Sequence, residues 1–204
     1  MSPEAQGDPL ERAALDRFEA AHREDPRSVL VGGVATQWSV HYHERLAHWV
    51  QRFDSSASVP LRLAAACQHI RRWLMPRSDY DPGRRGYRKW RSDLADMHAR
   101  TAREVLVDVG YDEGTVARVE ALIRKVDLGR DPEVQLFEDA ICMVFFESEY
   151  VDLASKHEDE KVVDILRRTW AKMSPKGRDA AVTLSAGLPD RERRLIAEAT
   201  ASSD

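Results

Sequence analysis

The sequence is poor in cysteine: Cys67 and Cys142 are the only two in 204 residues. Each lies in an apolar helical pattern, so two buried thiols are expected rather than a bridge, and a disulfide-stapled scaffold is excluded. No apolar run approaches the roughly 20 residues that a membrane-spanning helix needs. The opening MSPEAQGDPLERAALDRF lacks the basic-then-apolar order of a secretory signal. These absences predict a cytoplasmic protein with no membrane partner. Also missing are a Cys-x-x-Cys pair, a His-Glu-x-x-His helix and a nucleophile elbow. Gly83 and Gly86 do not form a phosphate loop, because no strand precedes them and no Lys-Ser/Thr follows. Positive charge is not in excess either. The formal net charge of -4 argues against a general nucleic-acid binder, although one basic patch can still act locally.

What is there repeats at three and four residues. Hydrophobic residues are 43% and charged residues 32% of the chain, an ordinary globular balance. The fold class expected is all-α: one helical domain over residues 1–204, with a core over about 8–199 and a disordered tail over 200–204. Asp8 and Pro9 open a first helix carrying Leu10, Ala14, Phe18 and Ala21 on one face. Residues 25 to 36, with Pro26, Gly32 and Gly33, read as a loop. Helices are expected over about Ser39–Phe53 and from near Ser58 to Trp73, the second dominated by LRLAAAC. Pro76 and Pro82 make residues 75 to 83 a loop. A long helix then runs from about Arg85 to Val109, ended by Gly110, and another covers Asp112 to Val126. After Asp131-Pro132 comes the stretch EVQLFEDAICMVFFESEYVDLASK, apolar all round at AICMVFF and so the most buried element. Further helices follow Glu158, Ser174-Pro175 and Asp190.

The stretch RRWLMPRSDYDPGRRGYRKWR, residues 71 to 91, carries seven arginines and one lysine against Asp79 and Asp81. Trp73, Tyr80, Tyr87 and Trp90 are threaded among them. Guanidinium forks grip phosphate or carboxylate and aromatic faces stack rings, so the loop suits a small anionic ligand better than duplex nucleic acid. The competing reading is a solvated surface loop. Glu138 and Asp139 interrupt the most apolar helix. A buried carboxylate costs several kcal/mol unless paired with a cation, a metal or several donors, so a salt bridge from Asp139 to an arginine of the basic stretch competes with a metal or substrate role. His69 ends an apolar helix beside Gln68 and needs partners there. His98 sits mid-helix. His22, His41, His43 and His48 read as solvated residues. Lys156, His157 and Lys161 complement a helix C-terminus or form a further wall of a ligand pocket.

The strings AAACQHIRRW, PRSDYDPGRRGYRKWR, DPEVQLFEDAICMVFFE, SKHEDEKVVDILRRTWAKMSP and FEAAHREDP resemble the family known as domain of unknown function 4202, over about residues 10 to 185. The resemblance implies no activity. A second resemblance is to the HD-domain metal-dependent phosphohydrolases, an all-helical fold. YHERLAHWV is similar to the first helix of that fold, with Tyr42 or His43 at the ligand position. In LAAACQHIRRW, Gln68 and His69 stand where the His-Asp pair would be. His98 matches a later histidine, Lys125 stands where another would fall, and Asp139 matches the final ligand. The HD resemblance implies a divalent metal held by His69, His98 and Asp139 as a two-histidine, one-carboxylate set.

The function expected is an enzyme acting on a small anionic metabolite, a nucleotide or another phosphorylated or carboxylated compound, by metal-dependent hydrolysis. His69, His98, Glu138 and Asp139 are its candidate acid/base groups. Gln68, Arg72, Trp73, Arg77, Tyr80, Arg84, Tyr87, Trp90, Arg91, Lys125, Lys156, His157 and Lys161 are its candidate substrate contacts. The alternatives are a non-catalytic anion-binding module and an RNA-associated protein using the basic loop.

Overall fold

The structure, a computed structural model, describes residues 8–201. Among these residues it has ten α-helices and one two-stranded sheet, so the fold class is all-α as the periodicity predicts. The chain divides into two compact units, residues 1–126 and 127–204.

In the first unit, α1 (Pro9–Arg23) begins as expected: the Asp8 carboxylate accepts from the Leu10 N–H at 3.0 Å, and Pro9 fills the first turn. The segment expected to be a loop contains a hairpin, β1 (Ser28–Val31) and β2 (Val34–Gln37), paired antiparallel. Its turn is Gly32-Gly33 at φ 57° and 85°, the left-handed region where glycine carries no steric cost. Buried Asp25 ties the hairpin to the next helix. It accepts from the Arg27 guanidinium at 2.8 and 2.9 Å and from the Ser39 hydroxyl at 2.6 Å.

Next come α2 (Trp38–Phe53) and α3 (Val59–Cys67), the latter capped by Ser58, whose hydroxyl accepts from the Leu61 N–H. The expected continuation of α3 to Trp73 does not occur. Arg71 adopts a left-handed conformation at φ 53°, and a 3₁₀ turn covers Arg72–Leu74. Helix α4 (Gly83–Val109) runs 27 residues to Gly110, whose φ of 107° closes it. Helix α5 (Glu113–Arg124) is capped by Asp112. Helix α3 packs on α1, α2 and α5, while α4 packs on α1 and α5. Ala64 and Ala65 are fully buried in α3, and their small side chains let those neighbours approach closely. Phe18, Leu46, Leu61, Leu63, Ile70, Leu106 and Leu122 fill the centre, each contributing about 1.5–3 kcal/mol of burial.

In the second unit, Asp131 caps α6 (Pro132–Val144) by accepting from the N–H groups of Glu133 and Val134. The single helix expected to continue through this stretch is interrupted. Phe145–Glu149 form a π-turn, and α7 (Tyr150–Ser155) follows. Helices α8 (Asp159–Trp170), α9 (Pro175–Ser185) and α10 (Asp190–Thr200) complete the unit. Phe137, Met143, Phe146, Tyr150, Leu166 and Leu195 form its core. The Tyr150 hydroxyl donates to the Glu192 carbonyl at 2.8 Å. Arg191 donates to Asp159 and to the carbonyls of Ala154 and His157, joining α7, α8 and α10. Of the tail expected to be disordered, residues 200–204, Thr200 ends α10 and Ala201 caps it, and 202–204 lie outside the described residues. Both cysteines are buried and unbridged. Among the described residues no helix is long and apolar enough to cross a membrane.

Candidate functional site

The basic-aromatic stretch splits into a locked part and an open part. Arg77 turns inward: its guanidinium donates to the carbonyls of Tyr80 at 2.8 Å and Asp81 at 2.7 Å, gathering the loop that precedes α4. Gly86 lets that loop lie against the helix, since a Cβ there would stand 1.9 Å from the Asp81 carbonyl oxygen. The Trp90 indole N–H donates to the Met75 carbonyl at 3.0 Å. Asp93 accepts from the Tyr80 hydroxyl at 2.9 Å and from Lys89 at 2.7 Å. Arg77, Tyr80 and Trp90, expected to face a ligand, thus hold the loop's own backbone and side chains. Arg84, Arg85, Arg88 and Arg91 are exposed and have no ion pair or hydrogen bond among the described residues.

A cluster of imidazoles lies deeper in the same unit. His22 and His43 stack with ring centroids 3.7 Å apart, and His69 and His98 lie 5.7 Å apart. Tyr42 touches both His43 and His69. Their polar neighbours mark His22 and His43 as solvated, yet they are 3% and 5% exposed. The signal was present: His22 follows Phe18 by four residues and Ala14 by eight, so it shares the buried face of α1. His43 precedes Leu46 by three and Val50 by seven, and so shares the buried face of α2.

The hydrogen bonds fix the tautomers. His43 donates from Nδ1 to the Ser39 carbonyl at 2.6 Å and accepts at Nε2 from the His69 N–H at 3.2 Å. His22 donates from Nε2 to the Ala66 carbonyl, and His98 from Nδ1 to the Ile70 carbonyl, each at 2.8 Å. That leaves lone pairs on His22 Nδ1 and His98 Nε2 buried with no hydrogen-bond partner; His69 Nδ1 is also buried and unpartnered, with no hydrogen bond to set its tautomer. Burial holds all four imidazoles below their ordinary pKa. For His98 desolvation is the largest cause and the Arg72 charge adds to it, while the bond to Ile70 opposes them; the result is about 4. For His69 burial is joined by the charges of Arg72, His98, His43 and Lys125.

Two cations thus face this cluster, one beside and one at a left-handed residue. Arg72 follows left-handed Arg71, and Lys125 is itself left-handed at φ 58°. Such a conformation costs a non-glycine residue roughly 1–2 kcal/mol and clusters at functional sites. The Arg72 guanidinium lies 4.8 Å from the Trp90 ring centroid, a cation–π contact that sets its place. Trp73 is half-buried in the same turn, and Gln68 is buried with its Oε1 unpartnered.

The remaining candidates lie in the second unit. Glu138 and Asp139 are 2% and 3% exposed, as the apolar pattern around them predicts. The competing expectation, an arginine partner for Asp139, is not what its hydrogen bonds show. Asp139 accepts from the Ser174 N–H at 2.9 Å, the Ser174 hydroxyl and the Gln135 amide at 3.1 Å. It so anchors the N-terminus of α9 to α6. Glu138 lies 3.6 Å from the Lys172 ammonium. Lys156 pairs with Asp152 at 2.6 Å, and Lys161 stands 3.3 Å from His157 Nδ1. The structure therefore brings together Gln68, His69, Arg72, Trp90, His98 and Lys125. Arg84 precedes His98 by 98 − 84 = 14 residues of α4, about 21 Å of helix, beyond the span of a small ligand bound at His98.

The residues present do not compose a metal centre by themselves. Among the described residues no group of three His, Cys, Asp or Glu side chains is arranged to hold a metal ion. Three buried imidazole nitrogens are unpartnered, on His22, His69 and His98, and both carboxylate oxygens of Asp139 already accept hydrogen bonds. The model of the family described as domain of unknown function (DUF4202) matches residues 12–196. No curated protein and no solved structure matches the chain.

Proposed function

The chain belongs to the DUF4202 family, and from that premise we propose that it is an enzyme acting on a small anionic metabolite, a phosphorylated or carboxylated compound, at the imidazole cluster of its first unit. The observation that carries this reading is the pair of unpartnered ring nitrogens, His98 Nε2 and His69 Nδ1, buried beside Arg72. An unsatisfied buried polar atom costs about 1–3 kcal/mol, so the two rings favour a ligand that brings hydrogen-bond donors, while the Arg72 and Lys125 charges beside them favour one that is also anionic.

The electrostatics give the ligand a chemical role. Burial and then the Arg72 charge keep His98 neutral. An anion held by Arg72 and Lys125 offsets the cationic part of that effect and shifts the pKa of both imidazoles upward, against the larger effect of burial. Binding thereby makes His98 a better proton acceptor from a bound ligand. The HD resemblance favours hydrolysis as the reaction class. The alternative, a non-catalytic binding module, is supported by Gln68 and His69 standing where a His-Asp pair would be.

The test is a thermal-shift screen of nucleoside phosphates, sugar phosphates and carboxylates, followed by turnover assays on each hit. A hit is expected to raise Tm in the native protein and to lose that effect in Arg72→Gln and His98→Asn. Product formation supports the enzyme; binding without turnover supports the module. If no compound shifts Tm, or the shift survives in both variants, the site is wrong.

A further inference from the structure

The first turns of α4 hold charge that the rest of the molecule leaves unbalanced. Carboxylates outnumber cations in the chain, 35 to 31, and most arginines elsewhere have found one. Arg62 pairs with Glu11, Arg103 with Glu113 and Glu120, and Arg191 and Arg194 with Asp159. Arg84, Arg85, Arg88 and Arg91 have not. They sit at the positive end of a 27-residue helix whose first turn has no acidic residue and whose cap, Pro82, offers no side-chain acceptor. Cations there oppose the helix dipole, which favours anions at this end.

The arrangement also has direction. Arg84, Arg88 and Arg91 recur at four and three residues and share one face of α4. Tyr87 lies on that face between them, 45% exposed, with its ring centroid 5.8 Å from that of Trp90. From Arg84 to Arg91 the helix rises about 10 Å. A stacked polynucleotide strand advances about 3.4 Å per residue, so this ladder spans roughly three nucleotides. The loop before it is pinned by Arg77, Gly86 and Trp90, so the backbone that carries the ladder is held in place.

We propose that this face of α4 binds a stacked single-stranded polynucleotide, with Arg84, Arg88 and Arg91 on its phosphates, Arg85 reaching a further phosphate from the flank of the face, and a base stacked on Tyr87. Sequence-independent single-strand sites combine these two parts, a row of cations and an exposed aromatic platform. Duplex binding is disfavoured because the positive charge forms one narrow row, and the chain is acidic overall. This surface is separate from the imidazole cluster and goes beyond the reading given above.

The test uses the full chain and a fluorescently labelled twelve-residue oligouridylate, with the matching oligodeoxythymidylate, an RNA duplex and inorganic polyphosphate as comparison arms. Four phosphate contacts predict a log–log salt slope of about -2.8, so affinity falls about 50-fold between 50 and 200 mM salt. Arg84→Gln/Arg88→Gln/Arg91→Gln should reduce the slope to about -0.7. Tyr87→Ala should weaken binding at least fivefold while leaving the slope unchanged. Circular dichroism confirms that both variants fold, as substitutions at exposed positions should allow. No binding at 50 mM salt, an unaltered slope in the triple variant, tighter binding of the duplex, or polyphosphate competing equally while Tyr87→Ala is neutral would each overturn the proposal. The His98 ring titration reports the imidazole cluster independently, so failure here is distinguishable from failure there.

Discussion

Acid should unfold this protein through its buried imidazoles, and His98 permits the most definite estimate. Its pKa falls from 6.5 to about 4 on folding, because burial and then Arg72 disfavour the charged ring. Above pH 6.5 the ring is neutral in both states and the shift costs nothing. Below 6.5 the unfolded chain takes up a proton that the folded ring refuses, so stability falls by about 1.4 kcal/mol per pH unit until pH 4. The total from this one group is about 3 kcal/mol, set against a typical stability of 5–15 kcal/mol. His22, His43 and His69 shift in the same direction and steepen the loss. The assay is urea unfolding from pH 8 to pH 4 in chelator-treated buffer, on the native protein and on His98→Asn, whose amide reproduces the donor to Ile70. The two stability curves should converge by about 1.4 kcal/mol per pH unit between 6.5 and 4, whatever the variant's offset at pH 8. Ring-proton NMR reads the same pKa directly. A His98 ring that titrates near 6.5, or two parallel curves, would refute the burial argument.

Two further perturbations test the scaffold. Gly177→Ala places a Cβ 2.6 Å from the Asp139 carboxylate carbon, and Gly86→Ala places one 1.9 Å from the Asp81 carbonyl oxygen. Each should cost about 1–3 kcal/mol by urea unfolding, and unchanged midpoints would show that the packing around α9 and before α4 is looser than described. Arg71→Gly relieves a left-handed residue, worth roughly 1–2 kcal/mol, and gives up only the exposed 3.4 Å contact with Glu24. It should raise or preserve stability, and a loss above about 1 kcal/mol would contradict the strain.

Helix starts were the most legible part of the fold, because they rest on local chemistry. Asp8-Pro9, Ser58, Asp112, Asp131-Pro132 and Ser174-Pro175 each supply a capping acceptor or a first-turn proline where the structure uses it. The hairpin was also written in the sequence: SVLV and VATQ flank Gly-Gly, a two-residue turn signal that Pro26 obscured. The early end of α3 was not, because nothing in the type of Arg71 demands a left-handed backbone; the packing around it does. The burial of Glu138 and Asp139 followed from their apolar neighbours. Their partners did not, since Ser174 is 35 residues away and no periodicity links the two. The imidazole cluster was half visible. His69 and His98 stood out as polar residues in apolar helices. His22 and His43 were lost among charged neighbours, although their spacing to Phe18 and Leu46 placed them inward.

The π-turn at Phe145–Glu149 has a consequence for chain length. A turn closed over five residues instead of four stores one residue that the helices on either side do not need. Glu147 and Ser148 are exposed at this widened turn, while Phe146 before them and Tyr150 after them are buried. Excising one of the two exposed residues would let the backbone relax to a plain helix, with the flanking faces still in phase. The same excision within α6 would swing every later side chain by about 100° and lift the Tyr150 phenol away from Glu192. Tolerance to deletion should therefore be concentrated at a single spot in the middle of a helical rod, a place where loops, not helices, usually absorb such change.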